Sequence, residues 1–194
     1  MRKISFRTAG IAGVAFTFVM ASLLHFFYDL SDGHILAVLF GAVNESVWEH
    51  IKLFIAPYVV WSIFELSCLN PRFKPYVVGR VVGLYVFPVG ITALYYSYTA
   101  VLGTNLLWID ILISFVVCVL AQLVSYKIYQ YGDAAAKWFP LAIAALVLMG
   151  VMYFTFTAVP PRVELFRDPI TGSFGIPNSG YSSGQGSIQN AILI

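Results

Sequence analysis

Charge is what this chain has least of. Charged residues make up 10% of its 194 positions, against about 25% in ordinary soluble domains. Hydrophobic residues supply 60% and the mean hydropathy is +0.84, so too few polar side chains exist to cover a water-facing surface. That excludes a soluble globular domain and leaves lipid as the solvent that fits. Cysteine is nearly absent. Cys68 and Cys118 have no metal-ligand spacing and fall at different depths of the spans assigned below, which argues against a disulfide or a cysteine zinc site. Basic residues interleaved with aromatics are missing, and nucleic-acid binding goes with them. There is no phosphate-binding loop, dinucleotide fingerprint or H-E-x-x-H. No internal repeat is present, so the inverted-repeat architecture of many transporters is unsupported.

What the chain does have is long apolar runs. Only helices and closed barrels satisfy the backbone in hydrocarbon, and these runs far exceed barrel strands of roughly 10 residues. The expected fold is an all-α integral membrane protein, a bundle of about five transmembrane helices over residues 1–159. The spans are placed at about 8–30, 47–66, 77–100, 106–129 and 138–159. The basic start Arg2, Lys3, Arg7 and the small residues near Ala21 resemble a signal peptide, but apolar character continues through Phe27, so a retained first helix is expected. The second apolar stretch is too long for one untilted span and is interrupted at Gly41 and Asn44-Glu45-Ser46. It divides into a short segment, Ile35–Val43, and a helix opened by Ser46-Val47-Trp48-Glu49, which has the form of a capping box. Pro160-Pro161 ends the last helix, and residues 160–194 form a tail, flexible from about 178, where Gly, Ser and Gln dominate.

Orientation follows from Lys and Arg in short loops. Placing the N-terminus in the cytoplasm puts Arg2, Lys3, Arg7, Arg72, Lys74, Arg80, Lys127 and Lys137 inside, against Lys52, Arg162 and Arg167 outside. The expected location is the plasma membrane, multi-pass, with an extracytoplasmic C-terminus.

Polar groups crowd at the outer end. Asn44, Glu45, Glu49 and His50 cluster at the start of the second span. Ser22, His25 and Asp29 share one face of the first helix, and Asp110, Ser114, Cys118, Gln122 and Tyr126 recur at every fourth position of the fourth. Charged groups at membrane depth are costly and face partners inside a bundle. His25, Asp29, Asn44, Glu45, Glu49, His50 and Asp110 are therefore the ligand-binding candidates. The mixture of imidazole and carboxylate in His25, Asp29, Glu49 and His50 suits a divalent metal ion. It equally suits a proton relay or a cationic solute. The plainer alternatives are Glu49 as a capping-box partner, Glu45 and Lys52 as solvated interfacial charges, Asp110 as a helix-dipole partner, and the polar stripe of the fourth helix as packing.

The string Asn44-Glu45-Ser46-Val47-Trp48-Glu49-His50 resembles the signature of a family of small bacterial membrane proteins without assigned function. Leu165-Phe166-Arg167-Asp168-Pro169-Ile170-Thr171-Gly172 is similar to that family's C-terminal segment. The resemblance implies an integral protein of the bacterial inner membrane and no activity to carry over. Three function classes stay open. The first and preferred is a binding or transport component for a cation or small cationic solute, working as a homo-oligomer or with a partner subunit. The second is a membrane-embedded metal-dependent hydrolase or transferase acting on lipid. The third is an accessory or assembly subunit. His25, Asp29 and Glu49 are expected to surround one outward-opening cavity.

Overall fold

The computed structural model describes residues 6–176, so Arg2, Lys3 and the segment expected to be flexible from 178 lie outside the described residues. Eight α-helices follow in order: α1 Phe6–His25, α2 Phe27–Leu30, α3 Ile35–Phe40, α4 Val47–Leu69, α5 Phe73–Leu102, α6 Leu107–Gln130, α7 Asp133–Ala136 and α8 Phe139–Thr155. A 3-10 turn, Glu164–Phe166, and one antiparallel bridge between Arg167 and Phe174 complete the regular structure of the described residues. The protein is thus all-α, with four helices long and apolar enough to cross a membrane: Thr8–His25 within α1, α4, α5 and α6. The fifth apolar helix, α8, is shorter at 17 residues.

Local chemistry explains several helix ends. The Ser46 side chain accepts from the Glu49 N–H and starts α4, and Asn70 ends it in the left-handed conformation at φ 45°. Gly103 ends α5 at φ 72°, its N–H bonding the Thr99 carbonyl at 2.8 Å. Pro140 lies in the first turn of α8, where its missing N–H has no helical partner to lose. The first apolar run is not one helix. It breaks after His25, where Gly41 crosses so closely that a Cβ there would sit 3.1 Å from the Leu24 carbonyl oxygen.

The core lies among α4, α5 and α6, built from Phe54, Tyr58, Leu84, Phe87, Val117, Cys118 and Ala121. Glycine lets α5 lie almost on the α6 backbone, since a Cβ on Gly79 would come within 2.5 Å of the Ser125 carbonyl oxygen. Two buried ion pairs mark the two ends of α4. Glu49 meets Lys52 at 2.6 Å, and Glu65 meets Arg80 of α5. Lys52 was expected as a solvated interfacial charge; instead it is fully buried, because Glu49, Thr157 and the Val38 carbonyl surround its ammonium.

Candidate functional site

Three segments converge where α1 ends and α4 begins. α1 delivers His25 as its last residue, the bent segment before α4 carries Glu45, and the first turn of α4 carries His50. The two imidazole Nε2 atoms are 3.2 Å apart. Glu45 Oε2 lies 3.4 Å from His50 Nε2 and 3.8 Å from His25 Nε2. All three side chains are half-buried, with His25 33% and Glu45 41% exposed, so the cluster is reachable.

The protonation state of His50 follows from its other nitrogen. Nδ1 is 3.0 Å from the Ser46 carbonyl oxygen. A carbonyl can only accept, so Nδ1 carries the hydrogen, and in the neutral ring the Nε2 lone pair faces His25. Without a metal, His25 Nε2–H donates to that lone pair. Both Nε2 atoms and the carboxylate could hold a metal ion there. Four-coordinate zinc with bonds of about 2.0–2.1 Å holds its ligand atoms roughly 3.3–3.4 Å apart. Octahedral neighbours at similar bond lengths would lie only about 3.0 Å apart. The observed separations of 3.2, 3.4 and 3.8 Å match the tetrahedral spacing better.

The other candidates are distributed around this triad. Glu49 faces elsewhere, because one step along a helix turns the side chain by about 100°. Its carboxylate accepts from Lys52 at 2.6 Å, Thr157 Oγ1 at 2.8 Å and the Val43 N–H at 3.1 Å. Asn44 holds the tail, donating to the Gly175 carbonyl at 2.8 Å while accepting from the Ser46 N–H at 2.9 Å. Asp29 is exposed on α2, outside the triad. Asp110 accepts from Tyr98 Oη and lines a cavity of about 690 Å³ whose wall includes His25, Glu45 and His50. The polar stripe of α6 is divided. Asp110 and Ser114 line this cavity, whereas Gln122 and Tyr126 line a pocket of about 20 Å³ beside Glu65 and Arg80. Between them Cys118 is 1% exposed within the core.

Sequence reasoning did not pick out Thr157, Glu65, Arg80, or the tail residues Pro169 and Ile170 that close one side of the cavity. Only Lys52 left a local trace, three residues after Glu49. The tail reaches the site because Phe166 packs against Trp48 and Phe156, with ring centroids 5.4 and 5.1 Å away. Asp168 then holds the following turn by accepting from the Ile170 N–H and Thr171 Oγ1.

These features define an all-helical membrane-type bundle with a cavity that carries the His25, Glu45 and His50 cluster in a largely apolar wall. Residues 3–176 match a family of unknown function, DUF6512, and the chain belongs to that family. No curated protein and no solved structure matches it.

Proposed function

We propose that this protein is a cation-binding membrane component whose ligand is a divalent transition-metal ion, zinc in the first place, held by His25, Glu45 and His50. The triad's spacing carries the reading: three N/O donors within 3.8 Å of one another, one with its tautomer set by a backbone carbonyl. All three donors line the cavity, from which a further ligand would reach the ion. The Lys and Arg asymmetry supports an outward-facing site on the plasma membrane. Asp29 and Glu49 leave the proposed ligand set, the first by its position and the second by its commitment to Lys52.

Binding is favoured over conduction. Below the triad the α6 stripe enters the packed layer around Cys118 and ends beside Arg80, whose guanidinium already takes up Glu65. An open metal position beside a large cavity also favours a second reading, a metal-dependent hydrolase or transferase acting on lipid.

Cobalt(II) titration tests the metal site. The wild type should take up about one ion per chain with the intense visible absorption of four-coordinate cobalt. His50→Ala and Glu45→Gln should abolish that absorption, and Asp110→Asn should retain it. Absence of the bands in the wild type, or their persistence in His50→Ala, would overturn the assignment.

A further inference from the structure

The cavity beside the triad is graded in polarity along the bundle axis, and the grading repeats on every helix that lines it. α1 descends from His25 to Ala21 and Phe18, and α4 from His50 to Leu53 and Phe54. α5 passes from Tyr95 to Ile91, and α6 from Asp110 to Ile113. Four helices thus present a polar or titratable group near the triad and mainly apolar side chains further along, with Ser22 of α1 and Ser114 of α6 as the polar exceptions. Phe18 and His25 are seven positions apart, so the cavity runs roughly 10 Å along the axis, room for a head beside the triad and a length of alkyl chain below it. The rim carries Leu107 and Ile111, which are 53% and 51% exposed and apolar. Water gains nothing from such a wall, and a small hydrated solute would leave the lower layer unfilled.

We infer that the cavity binds a single-chain amphiphile, with its alkyl chain between Phe18, Leu53, Phe54, Ile91 and Ile113 and its head at the triad. This rests on the metal reading for the position and the charge of the head, and the alkyl pocket stands without it. The charge of the head follows from the wall. No Lys or Arg lines the cavity among the described residues, and a divalent ion is already balanced by Glu45 and Asp110. Nothing is left to neutralise an anionic head, so the ligand offers a neutral donor such as an amide carbonyl, with Ser22, Ser114 and Tyr95 near enough to line its path.

The test uses the full chain in phosphatidylcholine nanodiscs and a dodecanamide carrying a diazirine at its terminal carbon, cross-linked by light and mapped by peptide sequencing. Adducts should concentrate on the peptides holding Phe18, Leu53, Phe54 and Ile91. Excess dodecanamide should compete and dodecanoate should not. Ile113→Trp, and separately Ala21→Phe, should cut this labelling at least tenfold while zinc uptake persists. Adducts spread evenly over lipid-facing α6 and α8 residues such as Leu123 and Val147 would overturn the inference, as would labelling unchanged in zinc-binding Ile113→Trp. Competition by dodecanoate equal to that by dodecanamide would overturn the neutral head. Should either variant lose its fold, the wild-type adduct map decides. Zinc uptake without cavity labelling removes this inference and leaves the metal site standing. Cavity labelling without zinc uptake removes the metal site and supports the alkyl pocket.

Discussion

Glu49 and His50 are neighbours in sequence with opposite environments. His50 faces the cavity, and Glu49 faces a closed pocket with Lys52, which is fully buried. The sequence showed the crowding of charge but could not divide it, because one helical step decides which face each residue takes. The Ser46 cap was legible; the reciprocal half of the capping box was not, since Val43 and Lys52 claim the Glu49 carboxylate instead. This arrangement gives a stability prediction. Lys52→Met leaves a buried carboxylate without its cation and should cost about 3–5 kcal/mol. Lys52→Met combined with Glu49→Leu should recover most of that, because no charge then remains to be buried. A double-mutant cycle on the unfolding transition measures the coupling, and simple additivity would refute it. Neither Glu49→Gln nor Lys52→Met should remove a direct ligand of the triad.

The helices were readable from apolar run length, and the break before Ser46 from its polar residues. Their ends shifted for local reasons. α5 begins at Phe73, where Val77 was expected, and α1 ends at His25 because Gly41 packs across it. Helix pairing was not readable, since a uniformly apolar helix carries almost no stripe to say which side meets which neighbour. Glycine records part of it. Gly79→Val drives a branched side chain into the α6 backbone near Ser125 and should lower stability by about 1–3 kcal/mol. Gly150→Val on α8 meets nothing within 4 Å of its new Cβ and should change stability far less. Thermal melts of the two variants in the same detergent compare them directly, and equal losses would contradict the α5–α6 packing.

Across the whole molecule, the two strings that resemble a family signature come together. Trp48 of the first packs on Phe166 of the second, and Pro169 and Ile170 reach the cavity wall. Sequence separation hid this meeting, as it hid Thr157 beside Glu49. The structure also sharpens the argument for orientation. Arg80 and Lys52 are held in buried ion pairs, and setting them aside leaves seven basic residues at one end against two at the other. With the N-terminus inside, Lys137→Cys in a Cys68→Ala background should react with an impermeant maleimide only from the cytoplasmic side, and Thr104→Cys only from the outside. The reverse pattern would invert the topology and move the triad to the inner face. The central claim, a metal held by His25, Glu45 and His50, meets its most direct test in zinc stoichiometry by elemental analysis of purified protein. The wild type should carry about one zinc per chain, and His25→Ala and His50→Ala less than about a tenth of that. Zinc-free wild type, or equal zinc in all three proteins, would contradict it.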